Sequence, residues 1–120
     1  MTIATIRIVR NPRQALREAG RGIATAVRSG SDASAHFVFS SAEQLFRAIS
    51  PKRWELIERL QSLGPSSVRG LARALDRDVK RVHQDVTGLL ELGLIERDGE
   101  GAVFVPFDRI HIDCDLKAVA

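Results

Sequence analysis

The chain has 120 residues, enough for one ordinary domain or for a small domain with an attached arm. Apolar residues make up 44% and charged residues 28%, a globular composition that argues against a disordered chain. The sequence has no apolar run that could span a bilayer and has a single cysteine, Cys114. We expect no secretory signal, because residues 1–7 have no sufficiently long apolar core. We therefore expect a cytoplasmic protein with no membrane contact, no cofactor and, at this length, no enzymatic activity.

Charge is unevenly distributed along the chain. Residues 1–47 carry seven basic and three acidic side chains, a net charge of +4. Residues 48–93 have a net charge of +2, and residues 94–120 a net charge of −3. This distribution favours a polyanion-binding body whose acidic C-terminal end is turned away. An Arg-rich genome would explain it equally well, since 15 of the 18 cations are arginine.

The N-terminal segment, residues 1–41, predicts a strand-helix-strand extension. Apolar side chains alternate from Thr2 to Val9, which predicts a strand. Asn11-Pro12 is a helix-start signal, and the helix is expected to run to about Arg28. A short β-prone run follows at His36–Phe39. We expect this extension to mediate dimerisation. On its helix, four arginines share a face that either contacts DNA phosphates or is simply solvated: Arg13, Arg17, Arg21 and Arg28.

Serine, proline and aspartate start signals divide the next segment into four helices. The first, over 42–49, should bury Leu45, Phe46 and Ile49. The next three are predicted at Pro51–Leu63, Val68–Leu75 and Val79–Leu92, with Trp54 as a core or interface anchor.

Two β-prone runs, 94–97 and 102–105, flank the Gly-rich acidic segment 98–101 and predict a hairpin. Residues 108–120 predict a final half-buried strand, because Ile110, Ile112, Cys114 and Leu116 alternate with polar residues. This final strand, with Ile110 and Ile112, could form one sheet with the two strands predicted in the N-terminal segment. The polar residues His111, Asp113 and Asp115 are suitable metal ligands, but the same pattern is typical of an exposed strand face, which we favour.

The order helix, short helix, tight turn, longer helix and hairpin over residues 42–107 resembles a winged helix-turn-helix domain. Leu71-Ala72-Arg73-Ala74-Leu75 and Leu89-Leu90-Glu91-Leu92-Gly93-Leu94-Ile95 resemble the small prokaryotic repressors of the MarR and ArsR kind. The wider run, with Ser50–Arg53 and Val82–Val86, is similar to a narrower group of predicted archaeal and bacterial regulators, some of which accompany toxin genes. The resemblance implies an α+β fold: a winged helix-turn-helix with the N-terminal strand-helix-strand extension.

The helix at 79–92 has two chemically distinct arcs. Valine and leucine fill one arc, from Val79 through Val82 and Val86 to Leu89 and Leu90. The opposite arc offers hydrogen-bond donors suited to phosphates and base edges in a major groove. It could also be an ordinary solvated face. The hairpin tip is acidic and would be repelled by phosphate, so either Arg97 alone makes a contact there or the hairpin stands clear of the DNA. The full set of predicted DNA-binding residues is Lys52, Arg53, Ser67, Arg69, Lys80, Arg81, Gln84, Thr87 and Arg97.

The same helix carries four further expectations. Asp78 should be its N-cap, and Asp85 should pair with Arg81 one turn earlier. His83 should be partly buried. Gly88 weakens the helix, and its missing side chain allows close approach of DNA or of another helix.

These patterns predict a sequence-specific regulator of transcription that binds duplex DNA as a homodimer and acts as a repressor. Two alternatives stay open. One is an antitoxin that represses its own operon and also blocks a small toxin protein. The other is a winged-helix module that mediates only protein contacts.

Overall fold

A computed structural model describes residues 2–9 and 34–116 of the chain. The helix predicted from Pro12 to Arg28, with its four arginines, lies outside the described residues. The described residues form an α+β fold. They comprise β1 (Ile3–Ile8), β2 (Ala35–Phe39), α1 (Ala42–Ala48), α2 (Pro51–Leu63), α3 (Val68–Leu75), α4 (Val79–Leu92), β3 (Glu96–Arg97), β4 (Val103–Phe104) and β5 (Arg109–Asp113).

The chain divides into two compact units, one within residues 1–47 and 107–120, the other within 48–106. The first contains a parallel sheet with the strand order β2-β1-β5, which confirms that the three predicted strands form one sheet. In its register, Ile6 of β1 lies beside Phe37 on one side and Ile112 on the other. Ile6 is fully buried, as the alternation of β1 predicts.

Thr2 and Asp108 hold the beginnings of β1 and β5 together. The backbone N–H of Thr2 donates to the Asp108 carboxylate at 2.9 Å, and its hydroxyl donates at 3.2 Å. These bonds hold the pKa of Asp108 below its usual range, since they favour the ionised carboxylate. Residues 106 positions apart in sequence are thereby joined at the sheet.

The second unit consists of α2, α3 and α4 followed by the β3–β4 hairpin. Its helices begin and end where the local sequence predicts. Ser50, Ser67 and Asp78 are the N-caps, and Gly93 ends α4 in the left-handed conformation at φ 89°. The core is aliphatic, with buried side chains from all three helices and the hairpin region: Leu56, Ile57, Leu60, Leu71, Ala72, Val82, Val86, Leu89, Leu94, Ile95 and Val103.

Several burial predictions are wrong at the edges of elements. Phe46 is 56% exposed, because α1 is only two turns long and Leu45 already occupies its buried side. Trp54, expected to be a core or interface anchor, is half-buried, which excludes a fully buried core position and leaves the interface role as a prediction. The predicted half-buried final strand ends at Asp113, and its side chains are mostly exposed because β5 is an outer strand. None of the described helices is both long and apolar enough to cross a membrane.

Candidate nucleic-acid interface

A three-residue turn sets the angle between α3 and α4. Asp76 ends α3 in the left-handed conformation at φ 52°, which short polar side chains tolerate better than most. Asp78 then caps α4, as predicted, since its carboxylate accepts the Arg81 backbone N–H at 3.3 Å. Helices α3 and α4 pack against each other. The turn therefore holds α4 in a fixed orientation relative to α3.

Helix α4 has a fully buried side and a fully exposed side. Val82, Val86 and Leu89 have no accessible surface. Val79, expected on the same arc, is 44% exposed because it is the first residue of the helix. On the opposite side the four predicted DNA-binding residues are all exposed: Lys80, Arg81, Gln84 and Thr87. The Thr87 hydroxyl donates to the backbone carbonyl of His83 at 2.9 Å.

The expectation for His83 is wrong, because its side chain is exposed on α4. A histidine at the border of an apolar arc is buried only where a neighbouring element covers that border. The exposed surface of α4 is thus wider than the sequence predicts.

Asp85 binds two arginines from other elements, and the predicted pair with Arg81 is wrong. Its Oδ1 accepts the Nε–H of Arg53 at 3.1 Å, and its Oδ2 accepts the Nη2–H of Arg77 at 2.8 Å. All three side chains are largely buried: Arg53 is 24% exposed, Arg77 15% and Asp85 16%. Arg53 also donates from Nη1 to the Ala48 carbonyl at 2.7 Å. This cluster ties the start of α2 and the α3–α4 turn to the middle of α4.

Gly88 provides the space for this arrangement. A Cβ at Gly88 would lie 2.6 Å from Nη2 of Arg53 and 2.7 Å from its Cζ and Nη1. Close approach of another helix, one of the two reasons offered for this glycine, is therefore observed, with an arginine side chain as the approaching group. The Arg53 guanidinium binds Asp85 and the Ala48 carbonyl inside the protein, which favours a structural role for Arg53 over the predicted DNA contact.

The remaining candidates lie on three elements. Lys52 at the start of α2 and Arg69 on α3 are exposed. Ser67 accepts the Gly70 backbone N–H at 3.0 Å as the cap of α3, although its side chain is also exposed. Arg73, which is not among the predicted contacts, is exposed one turn after Arg69. Its spacing of four residues from Arg69 on a helix was the signal that could have identified it.

The hairpin is organised by its own acidic tip. The Asp98 carboxylate accepts the backbone N–H groups of Glu100 and Ala102 at 2.9 and 3.0 Å. Arg97, the predicted contact, donates from Nη1 to the Gly101 carbonyl at 3.0 Å. Ser66 and Val103 exchange backbone hydrogen bonds at 2.9 and 2.8 Å, which anchors the hairpin beside the start of α3.

The metal-binding alternative is not supported by any cluster of metal ligands among the described residues. Within residues 2–9 and 34–116, no three His, Cys, Asp or Glu side chains are grouped so that they could hold a metal ion. His111 and Asp113 are exposed on β5, and Asp115 follows the end of the strand.

Residues 48–112, more than half of the chain, match the family model HVO_A0114. The chain belongs to the HVO_A0114 family. No curated protein and no solved structure gives a significant match to the chain. The matched residues include α2, α3, α4 and the hairpin, and extend into β5.

Proposed function

We propose that the protein is a winged helix-turn-helix regulator that binds duplex DNA in the cytoplasm through α4. The observation that carries this proposal is the two-sided character of α4. Its apolar side is buried on α3, so the polar side is free to enter a groove. The proposed function is binding, and no residue is given a catalytic role.

The exposed side of α4 has the chemistry of a recognition surface. A major groove admits one helix, and its base edges present acceptors to arginine and both donor and acceptor to glutamine. Arg81 and Gln84 lie in the first two turns of α4, where a recognition helix usually enters the groove. Lys80, a flexible point charge on the same turn, is suited to phosphate.

The charge of the helical unit favours one end of α4 over the other. Two exposed cations and no carboxylate lie on α3, and two more exposed cations lie on the first turn of α4. The end of α4 and the hairpin carry mostly exposed carboxylates, whereas α2 has both signs of charge and the α3–α4 turn carries two exposed aspartates. The cations on α3 and α4 are Arg69, Arg73, Lys80 and Arg81, and the carboxylates at the end of α4 and on the hairpin are Glu91, Glu96 and Glu100, with Arg97 among them. The mixed charges elsewhere are Lys52, Glu55, Glu58 and Arg59 on α2 and Asp76 and Asp78 in the turn. Phosphate attracts the cations on α3 and α4 and repels the carboxylates at the end of α4 and on the hairpin. We therefore infer that DNA lies along α3 and the start of α4, with the hairpin held clear.

A single module of this size gives limited affinity and specificity. A homodimer presenting two copies of α4 would bind a near-palindromic operator and repress by occupying it. Repression is the simplest outcome of such occupancy.

The test is duplex binding measured by fluorescence anisotropy, with DNA selected from a random-sequence library. The triple variant Lys80→Ala, Arg81→Ala, Gln84→Ala should lose selective binding while remaining folded by circular dichroism. The matched control is Arg59→Ala, because Arg59 is an exposed cation on α2 that lies beside Glu55 and Glu58 and is not among the proposed contacts.

Two outcomes would redirect the proposal. A wild-type protein that selects no duplex at low salt would overturn it and favour the protein-interaction module. A small protein that co-purifies with a DNA-binding chain would identify the antitoxin alternative.

A further inference from the structure

The outer edge of β5 has a defined set of outward-pointing backbone groups. The Arg109 N–H donates to the Thr2 carbonyl at 3.2 Å, within a register that pairs Ile3 with Arg109. Residues of a strand direct their N–H and C=O groups alternately to its two sides. The backbone groups of Arg109, His111 and Asp113 therefore form hydrogen bonds with β1. The backbone groups of Ile110 and Ile112 point away from β1. Among the described residues, no strand lies on that outer side.

The side chains of β5 are divided between the two faces of the sheet. Ile110 and Ile112 lie beside Ala4 and Ile6 of β1 on its apolar face. Both of these β1 residues are fully buried, yet Ile112 is 47% exposed. The apolar face thus continues to the edge of the sheet and ends there in an exposed isoleucine.

We propose that β5 pairs antiparallel with β5 of a second copy of this chain, about a twofold axis at His111. The two three-stranded sheets would then join into one of six strands. The outward groups of Ile110 would bond those of Ile112 from the partner, and Ile112 those of the partner's Ile110. The exposed Ile112 of each copy would lie opposite Ile110 of the other and be partly covered by it.

Charge complementarity specifies this partner and this register. The pairing places Arg109 directly opposite Asp113 of the second copy, and the twofold axis repeats the pair at the other end. Opposite charges directly across two strands stabilise the pair, and like charges destabilise it. Asp113 lies 3.7 Å from Arg7 of its own chain but remains 49% exposed, so it can accept a second guanidinium.

The other outer strand, β2, has no such charge complementarity with a second copy of itself. Antiparallel self-pairing about Phe37 would bring Ala35 opposite Phe39 and His36 opposite Val38, with no ion pair. Charged residues on an edge strand normally discourage pairing with foreign strands. On β5 the positive charge at Arg109 and the negative charge at Asp113 disfavour strands that lack matching opposite charges. An identical antiparallel strand has those charges at the matching positions. The dimer adds to the proposed DNA-binding function, but its test requires no DNA.

Charge reversal provides the first test. Arg109→Asp and Asp113→Arg each place like charges opposite each other at both ends of the strand pair. Sedimentation equilibrium should show wild type near twice the 13.2 kDa of one chain. Each single variant should have a dimer dissociation constant raised by roughly tenfold. An equimolar mixture of the two variants should form a heterodimer, because both of its cross-strand pairs are again complementary.

Disulfide trapping tests the register in a way that does not depend on the charge variants. His111→Cys, in a Cys114→Ser background, should oxidise readily to a covalent dimer, since the twofold brings the two positions into a close non-hydrogen-bonded pair. The control Glu96→Cys in the same background, on the exposed hairpin, should stay monomeric on reducing-agent-free gels. A wild-type monomer at micromolar concentration would overturn the proposal. The proposal would also be overturned if each single charge-reversal variant dimerised as tightly as wild type. The same holds if the disulfide formed no faster at position 111 than at position 96.

Discussion

At the scale of single residues, Gly88 and Arg53 are expected to be energetically coupled. Alanine is about 1 kcal/mol better than glycine inside a helix, yet its Cβ would displace a guanidinium that binds Asp85 and Ala48. Hydrogen bonds to charged groups contribute about 1.5–3 kcal/mol. We therefore expect Gly88→Ala to destabilise the protein by roughly 1 kcal/mol in urea denaturation.

In an Arg53→Ala background the sign should reverse. Without the guanidinium, the added methyl group contributes only its helix propensity, so Gly88→Ala should stabilise by about 1 kcal/mol. The unfolding free energies of wild type, the two single variants and the double variant complete a double-mutant cycle. Equal effects in both backgrounds would show that Arg53 does not occupy the space above Gly88.

Asp85 is expected to act on stability through its two arginines. Asp85→Asn removes the carboxylate charge that offsets both guanidinium groups, and the Arg77 Nη1 already has no hydrogen-bond partner among the described residues. We expect a loss of about 1.5–3 kcal/mol in denaturant titrations. Glu91→Gln, the same charge change at an exposed position of α4, should alter stability by less than about 0.5 kcal/mol. A comparable loss in both variants would assign the effect to net charge.

At the scale of elements, the exposed side of α4 is expected to separate sequence selection from general affinity. Gln84→Ala and Arg81→Ala should relax preference at particular base pairs by about 1–3 kcal/mol each. Lys80→Ala should weaken all sequences alike, since phosphate contacts carry no sequence information. Selection from a random library, repeated for each variant, measures both quantities.

A core variant of the same helix provides the control. Val86 is fully buried, so Val86→Ala should lower stability by roughly 1–3 kcal/mol and affect DNA binding only through unfolding. Unchanged base preference in the Gln84 and Arg81 variants would exclude α4 as the recognition element.

The elements that the sequence predicts well are those specified by local signals. Helices α2, α3 and α4 have the predicted bounds because their caps and apolar periods lie within a few residues of each end. The partners of Asp85 were missed because they come from a different helix and from a turn, and the local pattern offered Arg81 instead. Exposure on β5 was missed because alternation specifies two faces but does not specify which strand lies at an edge.

At the scale of the whole molecule, the proposed interface is expected to give a strong salt dependence. The logarithm of the association constant should fall with the logarithm of salt concentration by about 0.9 for each phosphate contacted. Lys80→Ala should reduce that slope, whereas Gln84→Ala should leave it unchanged because the side chain is neutral. Anisotropy titrations across a series of KCl concentrations test this, and a flat dependence for wild type would contradict the electrostatic role of α3 and α4.

The insertion of the helical unit between β2 and β5 also constrains how the chain folds. Pairing β1 with β5 closes a loop from Ile3 to Arg109, and the entropy lost on closure grows with the length of flexible chain in between. The contacts within residues 48–106 are closer in sequence, so they can form earlier and shorten that loop. During synthesis on the ribosome, β1 has to wait for its second neighbour until residues 109–113 have emerged. The last step of folding would then be the step that creates the edge on which two chains meet.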